Sequence, residues 1–140
     1  MNYKEELREA VLKEDFSRTY DVLNELVKEN IGEEYLEYLI KLIANNPLVD
    51  FGMPGPIVHF IESFPEYKYE MYLKTELKDR PNSLLLWMLN RIVNTPACKN
   101  GKEYLLLFHE ISERNDIDIA VRTEAKEYLE YQEGCRGTEE

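Results

Sequence analysis

The chain has 140 residues, and its 28 acidic and 17 basic side chains give a net charge of −11 at pH 7. Phosphate binding requires a basic surface, so this charge argues against nucleic acid as the direct ligand and favours a basic partner. The length and a hydrophobic content of 44% predict one globular domain over residues 1–133, followed by a flexible tail over 134–140.

No segment of the sequence has the features of a targeting signal or a membrane span. The first ten residues, MNYKEELREA, are charged and contain no apolar stretch of the kind found in secretory signals. The longest apolar run, Leu84–Leu89, is too short to cross a bilayer. Cys98 and Cys135 fit two free thiols in a reducing cytosol, with a disulfide between them as the alternative. The sequence therefore predicts a cytoplasmic protein without membrane contact.

Apolar residues recur at helical spacing from the N-terminus onward. The first helix is predicted over Tyr3–Lys13, and Asp15 or Ser17 is predicted to cap the second by accepting a backbone N–H. The third is predicted over Glu33–Asn45, where the following Asn-Pro sequence ends it. The residues predicted to face the core are apolar and lie on one side of each helix: Leu7, Ala10, Val11, Tyr20, Leu23, Leu26, Val27, Leu36, Leu39, Ile40 and Ile43.

The segment Pro47–Gly55 is predicted to be a loop, because it holds two Gly and two Pro in nine residues. Four apolar side chains of this loop are expected to contact the core: Leu48, Val49, Phe51 and Met53. A short fourth helix is predicted over Pro56–Phe64, with proline in its first turn. A fifth is predicted over Glu66–Asp79.

The sixth helix, Ser83–Val93 with the sequence SLLLWMLNRIV, is apolar on nearly every side. Such a helix is packed on nearly every side, so we predict that it is the central helix of the domain. Asn82 or Ser83 is predicted to cap it, and Leu86, Met88 and Leu89 are predicted to lie in the core.

Two further helices complete a predicted all-α fold of about eight helices. One is predicted over Lys102–Glu113, and the other begins near Asp116 or Asp118 and ends near Glu133. The turns at 80–82 and 115–117 lie about 35 residues apart, which is typical of helical repeats. We therefore expect the helices to stack as antiparallel pairs.

The last helix carries a local resemblance to a known repeat. The residues concerned are Asp116, Asp118, Val121, Arg122, Ala125 and Leu129. Their pattern resembles the second helix of HEAT repeats, in which an Asp caps the helix and the Val, Ala and Leu positions face the stack. The resemblance implies a HEAT-like right-handed solenoid or bundle.

The residues needed for catalysis or metal binding form no recognisable motif. His59 and Glu62 are spaced to share one helix face, but a metal site needs more ligands and no second pair of this kind exists. Cys98 lies beside Lys99 but has no His near it in the sequence. We predict no catalytic residue, metal or cofactor, with an enzyme that uses His59 and Glu62 as the alternative.

The polar residues of the sixth helix form a narrow face beside Trp87. Arg91 needs a carboxylate or water, because an unpaired buried charge is costly, and Glu62 is the partner we expect. One interpretation is a salt bridge that locks the fourth and sixth helices. The other is a partner-binding surface made of His59, Glu62, Trp87, Asn90 and Arg91, with Asn94 beside them.

Acidic residues are concentrated at both ends of the chain. Residues 1–40 contain 11 acids and 5 bases, and residues 103–140 contain 11 acids and 4 bases. The chain also has ten tyrosines, a residue enriched at protein interfaces. Solvated helix faces would explain these charges, but an acidic surface rich in Tyr also suits a basic protein partner. The candidate contacts are six glutamates: Glu33, Glu34, Glu37, Glu124, Glu127 and Glu130.

A resemblance to a protein family covers about 40 residues of the chain, and the matching residues lie between Gly55 and Arg91. They are Gly55–Glu62, Phe64, Tyr72–Leu73, Arg80–Asn82 and Leu86–Arg91, and WMLNR is the most specific part. In these residues the chain resembles small bacterial immunity proteins, which neutralise polymorphic or contact-dependent toxins encoded beside them. The resemblance implies a cytosolic, non-catalytic protein that binds a cognate toxin, commonly a nuclease. It implies no defined set of inhibitory residues.

These observations support two hypotheses about function. The first is an immunity protein, a monomer or weak dimer, whose glutamates and tyrosines mimic the substrate of a basic toxin and occlude its active site. The second is a small helical adaptor that binds a peptide or a regulatory protein in its groove.

Overall fold

The computed structural model describes residues 2–52, 54–95 and 100–137, with side chains described as far as residue 134. In this part of the chain the predicted all-α fold is confirmed, and no strand occurs. The described helices are α1 (Tyr3–Leu12), α2 (Phe16–Lys28), α3 (Leu36–Asn45), α4 (Pro56–Glu62), α5 (Glu70–Asp79), α6 (Ser83–Val93), α7 (Gly101–Ser112) and α8 (Ile119–Gly137), with 3-10 turns at Gly32–Tyr35 and Glu66–Lys68.

Side-chain caps start several helices where the sequence places Asn or Asp. Asn2, Asp15 and Asn82 each accept the backbone N–H three residues later, at 3.1, 2.9 and 3.0 Å. Asp118 accepts the Ala120 N–H at 2.8 Å before α8. Each bond satisfies a donor that a helix start leaves without an intrahelical partner. The predicted caps at Asp15, Asn82 and Asp118 are thus confirmed.

The helices group into two compact units, Met1–Glu76 and Leu77–Glu140. In the first unit α2 packs against α1 and α4, and α3 packs against α4. In the second unit α8 packs against both α6 and α7. A single domain over residues 1–133 and the stacking of antiparallel pairs stay predictions.

The core of each unit is mainly aliphatic and also contains aromatic rings. The first unit fully buries Leu7, Leu26, Leu36, Leu39, Ile40, Ile43, Ile57, Ile61 and Leu73. The second buries Leu77, Leu85, Leu86, Met88, Leu89, Tyr104, Phe108 and Ala125. Burial of each large apolar side chain favours folding by about 1.5–3 kcal/mol. The prediction that α6 is a buried helix with Leu86, Met88 and Leu89 in the core is confirmed.

The inward face of α2 differs from the prediction at two positions. Tyr20 is 45% exposed and Val27 is 62% exposed, whereas Thr19 and Val22 are buried. Thr19 is tolerated inside because its hydroxyl donates to the Asp15 carbonyl at 2.8 Å. The buried stripe is therefore rotated toward Thr19, and the prediction for Tyr20 and Val27 is wrong.

The loop after α3 contacts the core only in part. Phe51 is buried as predicted, but Leu48 is 97% exposed. The Val49 N–H donates to the Asn46 carbonyl at 3.2 Å, and this turn places Leu48 at its outer corner. Met53 lies outside the described residues, as does Cys98.

Several predicted boundaries also differ from the structure, among them the start of α3, which lies at Leu36 after a 3-10 turn and not at Glu33. α4 ends at Glu62, two residues before Phe64. The predicted fifth helix is divided, because Tyr69 leaves helical geometry at φ −130° and places its ring in the core. α8 continues to Gly137, beyond the predicted end near Glu133, and the flexibility of residues 134–140 stays a prediction. Residues 138–140 lie outside the described part of the chain.

Candidate partner-binding surfaces

The glutamates at the start of α3 are largely paired within the protein. Lys68 Nζ lies 2.6 Å from Glu33 Oε1, and Lys41 Nζ lies 3.5 Å from Glu37 Oε1. The hydrogen bond to Glu33 raises the pKa of Lys68. Glu34 is exposed and has no ion pair within the described residues. These glutamates therefore present less net charge to a partner than the sequence alone indicates.

Three tyrosines near these glutamates join helices to one another. The rings of Tyr3 and Tyr35 meet edge to face, with centroids 6.2 Å apart. A hydrogen bond to Glu29 raises the pKa of the Tyr3 hydroxyl. Tyr38 donates to the Lys4 carbonyl at 2.8 Å. Because all three rings are half-buried, their first role is to hold α1 against α2 and α3.

His59 and Glu62 lie on α4, where His59 is exposed and Glu62 is half-buried. Among the described residues, no group of three or more His, Cys, Asp or Glu side chains is placed to hold a metal ion. Glu62 belongs to the first unit and Arg91 to the second, and the salt bridge expected between them stays a prediction.

Two asparagines on the polar face of α6 are held by α8. Gln132 Nε2 donates to Asn90 Oδ1 at 2.8 Å and to Asn94 Oδ1 at 2.7 Å. Gln132 is only 4% exposed, and an unpaired buried amide donor costs about 1–3 kcal/mol. The hydrogen bonds described for this face thus join α6 to α8.

Gln132 contacts the polar face of α6, and the sequence analysis did not identify it. It continues the inward spacing of Val121, Ala125 and Tyr128 on α8. An uncharged polar residue in that stripe is a signal for a buried hydrogen bond, since a buried polar group is normally paired.

Trp87 and Arg91 form the outer part of the α6 face. The Arg91 guanidinium lies over the Trp87 ring, 5.0 Å from its centroid. Trp87 is half-buried and Arg91 is exposed, and such a cation–π contact contributes about 0.5–1 kcal/mol at an exposed site. The contact orders both side chains on the surface.

α8 has an inner side that packs against α6 and α7 and an outer side that is exposed to solvent. Ala125 is fully buried, and the Tyr128 ring stacks on Phe108 with centroids 5.7 Å apart. Burial, followed by the charges of Glu124 and Glu127, raises the pKa of Tyr128. Glu124 is half-buried and accepts the Ser83 hydroxyl at 2.8 Å. The Glu124 carboxylate therefore ties α8 to the start of α6.

The outer side of α8, defined as Lys126, Glu127, Glu130, Tyr131 and Glu133, is exposed and acidic. Within the described residues, its three glutamates form no ion pair. Tyr131 is 59% exposed and lies among them. Among the six candidate glutamates, Glu34, Glu127 and Glu130 are thus exposed without an ion pair in the described residues, and the last two lie together on α8. Glu133 belongs with them, although the sequence analysis did not include it.

Two further findings concern membrane spans and similarity to known proteins. Among the described residues, no helix combines the length and hydrophobicity needed to cross a bilayer. No protein-family model, curated protein or solved structure matches the chain.

Proposed function

We propose that the protein binds a basic protein through the outer side of α8. Following the resemblance to immunity proteins, we take this partner to be a bacterial toxin with a basic active site, blocked in the cytoplasm. The observation that supports the proposal is the exposure of Glu127, Glu130 and Glu133 without ion-pair partners in the described part of the chain. Complementary charge speeds encounter and selects partners.

The mechanism would be occlusion and would involve no covalent step. In a nuclease, the active site must attract phosphate, so it presents basic groups that carboxylates can also contact. The exposed Tyr131 ring adds contact area among the carboxylates, and Tyr is frequent among the residues that dominate binding energy. The protein would act as a stoichiometric inhibitor.

The direct test is calorimetric titration of the product of the adjacent gene, using wild type and a Glu127→Gln/Glu130→Gln/Glu133→Gln variant. Exposed ion pairs contribute about 0.2–1 kcal/mol each. Loss of three should therefore raise Kd roughly 3- to 150-fold. Raising the salt from about 50 to about 500 mM should weaken wild-type binding more than variant binding, because salt screens exposed charges.

A matched control removes three exposed carboxylates elsewhere: Glu9→Gln/Glu110→Gln/Glu113→Gln. These residues are exposed and have no ion pair within the described residues. The control should bind like wild type. Equal weakening by both variants would mean that the general field of the protein, and not contact with α8, attracts the partner. No binding at low salt would reject the proposal.

A further inference from the structure

A second candidate surface, the α6 amide face, consists of Trp87, Asn90 and Asn94. The spacing of these residues, i, i+3 and i+7, places them on one side of the helix. Asn94 closes α6 and keeps helical geometry, with φ −73° and ψ −13°. Trp87 and Asn90 are half-buried and Asn94 is exposed, so a partner can reach all three side chains.

Gln132 fixes the orientation of both asparagine amides. Its Nε2 donates to Asn90 Oδ1 and to Asn94 Oδ1, and an amide NH₂ group can only donate. Each asparagine oxygen is therefore turned toward Gln132, and each Nδ2 group is turned away from it. Within the described residues, neither Nδ2 group donates a hydrogen bond. The face thus presents two amide donors in a fixed orientation.

Stability alone does not explain why an amide is buried at position 132. Gln132 is only 4% exposed, and replacing a buried hydrogen-bonded set by apolar groups of the same shape can leave stability nearly unchanged. An apolar side chain at this position could not hold two asparagine amides in one orientation. Side chains that are held before a ligand arrives lose less conformational entropy on binding. The hydrogen bonds of Gln132 are therefore suited to recognition.

The spacing of the two donors matches an extended polypeptide. Asn90 and Asn94 are four residues apart, which corresponds to about 6 Å along a helix axis. In an extended chain, carbonyl groups two residues apart point to the same side and lie about 6.6–6.8 Å apart. The mismatch is under about 1 Å, which small side-chain rotations can absorb. A helical ligand does not fit, because its carbonyl groups already accept internal hydrogen bonds.

Trp87 adds an apolar contact at one end of the pair of donors. It precedes Asn90 by three residues, or about 4.5 Å along α6. The Arg91 guanidinium lies 5.0 Å from the centroid of the Trp87 ring and orders it. An extended segment bonded to both asparagines can therefore pack a side chain beside Trp87, a residue type that is frequent among those dominating binding energy.

We propose that the α6 amide face binds an extended segment of a protein partner, with Asn90 and Asn94 donating to two of its backbone carbonyl oxygens. Every residue of such a segment carries this acceptor, so recognition depends on the extended conformation more than on the side chains. Binding at this face does not require the basic partner proposed for α8, because its donors and acceptors are uncharged.

The test uses the capped, neutral peptide Ac-SVTVTS-NH2, whose β-branched residues favour an extended chain. Trp87 is the only tryptophan of the chain, so its fluorescence reports on this face, and ¹⁵N NMR of the full chain follows the side-chain amides of Asn90 and Asn94. Both signals should change together during the titration. Ac-Val-NH2 cannot reach both asparagines and Trp87, and it should bind at least about tenfold more weakly.

An isosteric substitution separates hydrogen-bond donation from folding. Asn94→Asp keeps an oxygen that accepts from Gln132 but replaces the outward donor with a second acceptor. Loss of this one bond should raise the Kd of the peptide about 2- to 13-fold. Asn24→Asp introduces the same charge at an exposed position of α2 and should leave the Kd unchanged. Gln132→Met retains both donors but releases them, and it should raise the Kd at least about fivefold at a temperature where the variant is folded.

Three results would overturn the proposal. They are no change of either signal at millimolar peptide, equal affinity of wild type and Asn94→Asp, and the same changes on raising the protein concentration alone, which would identify a second copy as the occupant. The α8 triple Glu→Gln variant should bind the neutral peptide like wild type. Failure of peptide binding would thus leave the proposed function intact, and failure of the adjacent gene product to bind would leave the α6 amide face intact.

Discussion

The amide of Gln132 is expected to contribute measurably to the stability of the second unit. Replacement by Met keeps most of the buried volume and suits a helix, but it removes the two donors to Asn90 and Asn94. Each hydrogen bond contributes about 0.5–1.5 kcal/mol. Asn94 is exposed, so water can replace the bond it loses. We therefore expect Gln132→Met to lower the free energy of unfolding by about 1–2 kcal/mol.

The change can be measured by urea unfolding followed by circular dichroism, with thermal melting in parallel. For a chain of this size, a loss of 1–2 kcal/mol corresponds to a fall in Tm of roughly 2–8 °C. Glu133→Met is the matched control, because it introduces the same side chain at the next, exposed position of α8. It should change stability by less than about 0.5 kcal/mol.

A double-mutant cycle separates the hydrogen bond from general packing. Asn90→Ala should be less costly in the Gln132→Met background than in wild type, because the bond between the two residues is already lost. The reasoning is refuted if Gln132→Met is as stable as wild type. It is also refuted if the effects of the two substitutions add without coupling.

Three further changes test local features of the fold. Gly32→Ala should lower the free energy of unfolding by about 1–3 kcal/mol, because its Cβ would lie 2.7 Å from Phe60 Cζ. Urea unfolding should show a smaller loss in a Phe60→Leu background, and an equal loss would contradict this contact. Asn82→Ala removes the cap of α6 and should cost about 1 kcal/mol, whereas Asn82→Asp should restore most of it; thermal melting of both variants checks this. Hydrogen bonds from Arg114 at 2.9 and 2.7 Å hold the pKa of Asp116 below its usual value. Such a carboxyl stabilises the fold above its unfolded pKa of about 4, and the contribution is lost as pH falls through the folded pKa. Asp116→Asn should therefore be less stable than wild type near pH 7 and should converge with it in strong acid; a difference independent of pH would contradict the assignment.

Helical periodicity predicts the fold class because most buried faces here are continuous apolar stripes. The predicted start of α6 agrees with the structure, since Asn82 caps the helix that begins at Ser83. The face of α2 is harder to predict, because Tyr20 and Val27 are as apolar as the residues that are buried. Contacts with α1 and α4 decide which side turns inward, and those contacts depend on tertiary packing.

The sequence predicts the candidate surfaces only to the extent that it predicts which side chains are exposed. The spacing of Glu127 and Glu130 on an amphipathic helix indicates an outward face, and both are exposed. The sequence does not indicate that Lys68, distant along the chain, pairs with Glu33. The hydrogen bond from the Asp50 N–H to the Glu14 carboxylate could not be predicted either, because contacts between residues distant in the chain leave no local sequence pattern.

The most direct test of the claim that α8 binds a basic partner is titration of the adjacent gene product into wild type and the α8 triple Glu→Gln variant at low salt. The prediction is one-to-one binding to wild type, with a Kd roughly 3- to 150-fold higher for the variant. No binding to wild type, or equal affinity for both proteins, would contradict it.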